Sequence, residues 1–65
     1  MQKQNYRKAR KDANVKPERA AAELGVSITT LLNWERGETK PNAQNIYDMA
    51  KLYDVSANYL LGIGD

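Results

Sequence analysis

Four side chains, those of Ile28, Thr29, Leu32 and Asn33, have the chemistry needed to recognise the edges of base pairs. The Asn33 carboxamide can pair with adenine at N6 and N7, and the Thr29 hydroxyl can donate or accept a hydrogen bond. Ile28 and Leu32 can pack against a thymine methyl group. If they share one exposed helix face, such side chains could read a half-site that contains A·T pairs.

Five further side chains are candidates for binding DNA phosphates: Arg10, Arg19, Arg36, Lys40 and Asn42. Residues 1–19 hold seven Lys and Arg against two acidic residues, whereas residues 20–65 hold three basic residues against six acidic ones. This uneven distribution is the electrostatic pattern expected beside a phosphate backbone. An ordinary solvated helix face would also explain it, and charge alone favours that explanation.

The composition excludes several other kinds of site. The chain has no Cys and no His, and it has no glycine-rich phosphate loop, so we expect no metal, no cofactor and no catalytic residues. No apolar run approaches the roughly 20 residues of a membrane span. Residues 1–10 lack the apolar segment of a secretory signal. We therefore expect a cytoplasmic protein that is not an enzyme.

Two short helices joined by a tight turn would hold the base-reading side chains on one surface. Ala20, Ala21 and Leu24 fall on one helical face, and Gly25 follows as a residue that ends helices in the left-handed conformation. This pattern predicts a helix over residues 17–24. Ala21 is small, as a close crossing of two helices requires.

The next helix is predicted from Ile28 to Arg36. Ser27 can cap its first N–H groups, and Gly37 can close it. On such a helix the four base-reading side chains share one face with that of Arg36, while Leu31 and Trp34 face the opposite side and belong to the core. The short connection between the two helices is that of a helix-turn-helix.

The remaining sequence predicts three more helices, so the expected fold is all-α. A first helix over residues 3–13 would turn one stripe inward, and Asn14 would close it in the left-handed conformation. That stripe consists of Tyr6, Ala9, Arg10 and Ala13. A fourth helix would begin after the cap Asn42 and end at Asp54. Its expected inward side consists of Ala43, Ile46, Tyr47, Ala50 and Tyr53, with Met49 beside them.

A short fifth helix is predicted from the cap Ser56 through Leu61, with Gly62 closing it. The length of 65 residues allows one domain, near the lower size limit for a single core. We expect that core to span about residues 6–62 and to be followed by a short mobile tail.

The chain resembles the Cro and phage-repressor (XRE) type of helix-turn-helix DNA-binding domain from about Tyr6 to Gly62. The resemblance rests on three stretches that match in order and spacing: Glu23-Leu24-Gly25-Val26-Ser27, Trp34-Glu35-Arg36-Gly37 followed by Lys40-Pro41, and the tail from Tyr53 to Gly62. It implies a compact, lambda-repressor-like bundle of five helices. It also implies a recognition helix over residues 28–36 that enters the major groove.

Arg10 lies within the apolar stripe of the first helix, where a guanidinium needs a carboxylate partner. Glu35 follows Trp34 at the edge of the inward face of its helix, and the resemblance implies an Arg–Glu pair at these two positions. We expect a structural ion pair, with Arg10 additionally available to phosphate.

The chain departs from the family pattern where function is decided. Pro17 replaces a polar residue, often Gln, at the start of the second helix. Ile28 and Leu32 make the reading face more apolar than is common in the family. Two functions are therefore compared. The first is a small prokaryotic or phage transcriptional regulator that binds specific double-stranded DNA, and the alternative is a protein-interaction module that uses Ile28 and Leu32.

A single domain of this size offers few base contacts, so we expect a homodimer on half-sites about 10 base pairs apart. The candidate interface lies in the C-terminal helix and consists of Tyr59, Leu60, Leu61 and Ile63. Completion of the core by Leu60 and Leu61 is an equally good explanation for two of these residues.

Overall fold

A computed structural model describes residues 3–63, which form five helices and, within that range, no strand. The helices are α1 (Tyr6–Asp12), α2 (Pro17–Leu24), α3 (Ile28–Arg36), α4 (Ala43–Tyr53) and α5 (Ala57–Leu61). The prediction of an all-α, five-helix fold is confirmed, and so are the bounds predicted for α2 and α3. The last two residues of the predicted mobile tail lie outside the described residues.

The helix ends follow the side chains that cap them. The hydroxyl of Ser27 accepts from Thr30 N–H, and that of Ser56 accepts from Tyr59 N–H. The Asn42 carboxamide does the same for Asn45 N–H. Each cap satisfies a backbone donor that the first turn of a helix leaves free.

Left-handed residues close the helices at their other ends. Gly25 and Gly37 have φ values of 71° and 80° after α2 and α3, where glycine carries no steric penalty. Asn14 adopts φ 62° after α1, as predicted. Gly25 therefore ends α2 before the turn, and Gly37 ends α3 after it.

Helix α1 begins three residues later than predicted, at Tyr6. Gln4 and Asn5 make contacts that a helical turn would not allow. Asn5 N–H donates to the carbonyl of Leu60 at 2.9 Å, and the Gln4 side chain accepts from Tyr6 N–H at 2.8 Å. Residues 3–5 are thus held by α5 and by their own side chains.

One apolar core joins all five helices. Leu31 and Trp34 of α3, Met49 of α4 and Leu60 of α5 are almost fully buried in it. Ala20 and Ala21 of α2 are also buried, which agrees with the small residues expected where α2 meets α3. The core therefore holds α3 by its inward side alone.

The predicted inward side of α4 is wrong at two positions. Ala43 is exposed, and Tyr47 is 63% exposed. The buried stripe is Ile46, Met49 and Tyr53, which are spaced three and four residues apart. Tyr47 lies about 100° around the helix from Ile46, so both cannot face the centre of the same core.

Within residues 3–63, every helix is too short or too polar to cross a membrane.

Candidate nucleic-acid interface

Helix α3 turns one side into the core and the other toward solvent. Its inward residues Leu31 and Trp34 are 0% and 4% exposed. On the opposite side Ile28 is 42% exposed and Thr29 is also exposed, whereas Leu32 and Asn33 are half-buried. The four residues predicted to read bases thus lie on the outward face, with the two N-terminal ones the more accessible.

The beginning of α3 is fixed by Ser27. Its Oγ accepts from Thr30 N–H at 3.1 Å and donates to Thr30 Oγ1 at 2.9 Å. The two hydroxyl groups therefore satisfy each other and the first turn of the helix. Ile28 and Thr29, which lie between them in sequence, extend from a backbone whose direction is set.

The end of α3 carries a contact between the predicted base reader and a predicted phosphate ligand. Arg36 Nη2 donates to Asn33 Oδ1 at 2.5 Å, and Arg36 Nε lies 3.4 Å from Glu38 Oε2. Residues three apart on a helix are surface neighbours, which explains the Asn33–Arg36 contact. Glu38 follows the closing residue Gly37 and partly neutralises the guanidinium.

The structure brings Arg10 and Glu35 together, as predicted. Arg10 Nε donates to Glu35 Oε2 at 2.7 Å, and Arg10 Nη2 donates to Glu35 Oε1 at 3.1 Å. Arg10 Nη1 donates to the carbonyl of Val15 at 3.0 Å. This geometry is the two-pronged pairing for which a guanidinium is suited, and it joins α1, α3 and the loop before α2.

The prediction that Arg10 also contacts phosphate is wrong. Arg10 is 7% exposed, and all three of its nitrogen atoms have partners inside the protein. Its hydrogen bond to Glu35 raises the pKa of the guanidinium above its usual value, even though burial opposes the charge. Arg10 is therefore a structural residue.

The other predicted phosphate ligands lie on the surface. Arg19 is exposed in the first turn of α2, and Lys40 is exposed in the loop between α3 and α4. Asn42 uses Oδ1 to cap α4, accepting from Asn45 N–H at 2.8 Å, while its side chain remains exposed. Arg36, Lys40 and Asn42 therefore follow one another along the chain from the end of α3 to the start of α4.

Sequence reasoning missed the role of Gln4. Its Nε2 donates to the carbonyls of Trp34 at 3.1 Å and of Glu35 at 2.9 Å, near the C-terminal end of α3. Its Oε1 accepts from Tyr6 N–H at the start of α1. A polar residue two positions before a helix was the only local signal, and it cannot show that the side chain also reaches another helix.

The apolar residues of the C-terminal region divide between core and surface. Leu60 is 0% exposed, so of the two explanations open for it, core completion is confirmed and a place in a dimer interface is not, while Tyr59 is half-buried. Leu61 and Ile63 are 38% and 44% exposed. Leu60 faces inward because α5 is a short helix packed against α1 and α4, with room to bury one side only.

Sequence reasoning also missed an apolar hollow between α4 and α5. It has a volume of about 220 Å³ and is lined by Ala43, Ile46, Tyr47, Ala57 and Leu61. Tyr47 stands at its edge as the most exposed large apolar side chain among the described residues. The exposed apolar surface of this region is thus formed by α4 as much as by α5.

Comparison with known proteins places this geometry in a family. A helix-turn-helix family model matches residues 7–60. Repressor protein C2 of Salmonella phage P22 is 33% identical over 58 residues, which are 89% of this chain and 27% of that protein. The HTH-type transcriptional regulator ImmR of Bacillus subtilis (strain 168) is 34% identical over 56 residues, 86% of this chain and 44% of that protein. The chain therefore spans less than half the length of these two curated relatives.

A similar structure has also been solved. The crystal structure of the P22 c2 repressor protein in complex with synthetic operator 9T superposes with a TM-score of 0.79 at 33% identity, covering 88% of this chain and 86% of that chain. The family model covers residues 7–60 and therefore includes residues of all five helices. This chain belongs to the helix-turn-helix family of the Cro and phage-repressor (XRE) type.

Proposed function

We propose that the chain binds specific double-stranded DNA as a small prokaryotic or phage transcriptional regulator, with α3 in the major groove. The observation that carries this proposal is the two-sided character of α3. Leu31 and Trp34 anchor it in the core, and the opposite face is presented outward from a capped first turn. The named function of the P22 relative, a repressor, supports the same conclusion.

The proposed base contacts come from the outward face of α3. Ile28 and Thr29 lie at its N-terminal end, the part of a recognition helix that reaches base edges. Leu32 and Asn33 lie one turn further along and complete the reading surface. The exposed apolar area of Ile28 suits a thymine methyl group.

The proposed phosphate contacts lie on both sides of that surface. Arg19 is in the first turn of α2, where Lys16 provides no side-chain cap and Pro17 occupies the first helical position. The N–H groups of Glu18 and Arg19 precede the first intrahelical bond of α2, from Ala20 N–H to the Lys16 carbonyl. They could receive a phosphate oxygen, as helix N-termini do. Arg36, Lys40 and Asn42 would provide the contacts that follow α3.

The proposal includes a two-fold homodimer whose interface differs from the one expected from sequence. Tyr47 protrudes beside the hollow formed by Ala43, Ile46, Ala57 and Leu61. A two-fold axis through this surface would place each Tyr47 against the hollow of the other subunit, since isologous contacts pair a patch with its own copy. Ile63 would lie at the margin of the interface, while Leu60 stays in the core.

The chain is proposed to act by binding and to have no catalytic activity, in the cytoplasm where DNA is accessible. No group of three or more acidic residues in the described range 3–63 is arranged to hold a metal ion. The single-domain organisation over residues 1–65 is part of the same proposal, and it is supported by the one core that joins α1 to α5.

Salt-dependent binding to labelled duplex DNA tests the function. We expect affinity for a random duplex to fall as salt rises, because each neutralised phosphate releases counterions. Lys40→Ala should weaken binding to every sequence alike and reduce the salt slope by about one. Lys51→Ala is the matched control, since Lys51 is an exposed lysine in the last turn of α4, and it should leave the slope unchanged. No binding at low salt, or no decline with salt, would contradict the proposal and favour the alternative of a protein-interaction module.

A further inference from the structure

We propose that Arg36 determines which base Asn33 reads, by engaging Asn33 Oδ1 and so orienting the carboxamide with its Nδ2 donor toward the base. The base selected at this position is then guanine, in place of the adenine expected from the residue type alone. This inference rests on the proposed DNA-binding function and specifies the substrate of the same site.

The orientation of the Asn33 carboxamide follows from the chemistry of its partner. A guanidinium has N–H donors and no acceptor, so the atom that faces it must be the amide oxygen. Arg36 Nη2 donates to Asn33 Oδ1, so the amide oxygen accepts from a charged donor. The amide nitrogen Nδ2 donates no hydrogen bond within residues 3–63. Nδ2 is therefore the group that can point toward a base.

Two further contacts hold this arrangement in place. Glu38 pairs with Arg36 Nε at 3.4 Å and so retains the guanidinium beside α3. The main-chain carbonyl of Asn33 accepts from Glu38 N–H at 2.9 Å, which fixes Glu38 relative to the last turn of the helix. The three residues thus form a closed group in which the carboxylate orients the guanidinium and the guanidinium orients the carboxamide.

The orientation of the Asn33 carboxamide, with Nδ2 toward the base, decides between the two purines. Bidentate pairing with adenine needs Oδ1 to accept from N6 while Nδ2 donates to N7. With one lone pair of Oδ1 used by Arg36, adenine N6 would have to share that oxygen with a guanidinium, whose N–H donors repel those of the amino group. Guanine presents only acceptors, N7 and O6, at the same edge of the major groove. Nδ2 and the free N–H groups of Arg36 supply two neighbouring donors that match these two acceptors.

Selection from a random duplex library with the full chain tests the inference. Comparison of the wild type with Asn33→Ala identifies the base position that depends on Asn33, and we expect the wild type to enrich guanine there. Arg36→Met removes the donor to Oδ1 and keeps most of the side-chain length. It should free the carboxamide for bidentate pairing and change the preference at that position to adenine. For two duplexes that differ only at this pair, the preference should be roughly tenfold in each direction.

Controls separate this effect from general loss of charge or of folding. Arg36→Met weakens binding to all duplexes, so the ratio of the two affinities is the quantity that matters. Arg36 is exposed, so the variant should fold; thermal unfolding checks this, and Arg36→Ala provides a second variant with the same expected change. Glu38→Gln removes the ion pair but retains the Arg36 donor, and it should reduce the preference for guanine less than Arg36→Met does.

Several results would overturn the inference. The wild type could enrich adenine at the Asn33-dependent position, or no position could depend on Asn33. Arg36→Met could leave the guanine preference unchanged. Glu38→Gln could change the preference to adenine as fully as Arg36→Met does. Failure of the proposed function looks different, because the wild type would then enrich no half-site and show no salt-dependent binding.

Discussion

Arg10 shows how a residue type, taken with its place in a helical stripe, predicts the need for a partner of opposite charge. The charge of Arg10 falls among residues that face inward, and a buried guanidinium requires a carboxylate. The structure supplies one, with a Glu35 side chain that is 4% exposed. The same burial removes Arg10 from the DNA surface. The family resemblance implied Glu35 as that partner, but the extent of burial depends on how α1 packs on α3.

A double-mutant cycle at this pair tests its structural role. Arg10→Met and Glu35→Leu each leave one buried charge without a partner, and each should lower the free energy of unfolding by about 3–5 kcal/mol. The double variant, which has no charge to desolvate, should be more stable than either single variant. Urea unfolding measures all four proteins. Additive losses would show that the two side chains are not coupled.

Tyr53 is the buried polar residue whose role the sequence did not indicate. Its hydroxyl has no hydrogen-bond partner among residues 3–63. Burial raises the pKa of Tyr53 to about 12, with the nearby Glu35 carboxylate adding to the effect and Arg10 opposing it. The phenol is thus kept neutral beside the ion pair over a wide pH range.

Tyr53→Phe should be neutral or slightly stabilising at pH 7, because it removes an unpaired buried hydroxyl.

In the wild type, a folded-state pKa of Tyr53 above the unfolded value contributes stability that is present below about pH 10 and is lost as the pH rises through about 12. The difference between the unfolded and folded pKa of Tyr53 corresponds to roughly 3 kcal/mol of stability. Tyr53→Phe should lack this loss, and Tyr47→Phe, at an exposed tyrosine, should retain it. Urea unfolding from pH 8 to 12 measures the difference; equal pH dependence in wild type and Tyr53→Phe would contradict the assignment.

At the scale of elements, local signals predicted four of the five helix starts. Ser27, Asn42 and Ser56 cap their own helices, and Pro17 begins α2, so each boundary is set by residues adjacent to it. The start of α1 is different. It depends on the carbonyls of Trp34 and Glu35, some 30 residues away, which draw the Gln4 side chain out of a helical turn. No pattern near residue 4 contains that information.

Gln4→Met tests whether this contact stabilises the end of α3. The change removes three hydrogen bonds and leaves two α3 carbonyls without the Gln4 donor, so the free energy of unfolding should fall by about 1–3 kcal/mol. Amide hydrogen exchange at Gly37 and Glu38 should accelerate, since their N–H groups bond to the same turn.

The matched control for Gln4→Met is Gln44→Met. Gln44 is exposed on α4 and bonds only to Asp48 within one helix, so its replacement should change stability by less than about 0.5 kcal/mol. Equal effects of the two substitutions would remove the case for a specific role of Gln4.

At the scale of the whole molecule, the exposed apolar surface between α4 and α5 is the feature that sequence located only in part. Ile63 was expected at the surface and is exposed. For Leu60 and Leu61 the sequence favoured surface and core equally; Leu60 is buried and Leu61 is exposed. Tyr47 was expected to face inward and is exposed. Neighbouring residues on a helix differ by about 100°, so the choice between them is made by packing against other elements. Periodicity alone cannot fix that choice for a helix as short as α5.

Sedimentation equilibrium tests the dimer proposed from this surface. Tyr47→Asp places a charge beside the hollow of Ala43, Ile46, Ala57 and Leu61, and it should raise the dimer dissociation constant at least tenfold, since burying an unpaired charge is costly. Ile28→Ser is the matched control, because Ile28 is also an exposed apolar residue but lies on α3. It should leave the dissociation constant unchanged. A wild-type protein that is monomeric even when bound to a two-half-site duplex would contradict the proposal.

The meeting of residues 3–5 with the end of α5 has a consequence for how the chain can be rearranged. Asn5 N–H bonds to the Leu60 carbonyl, and a Cβ at Gly62 would lie 2.1 Å from the Lys3 carbonyl oxygen. The described part of the chain therefore ends beside the place where it begins. A peptide linker of a few residues could join the two ends into a ring, and new termini could then be opened in a surface turn away from the proposed DNA-binding residues. Such a circular permutant would keep α3 and its neighbours on an unbroken segment only if the cut lies outside residues 17–37.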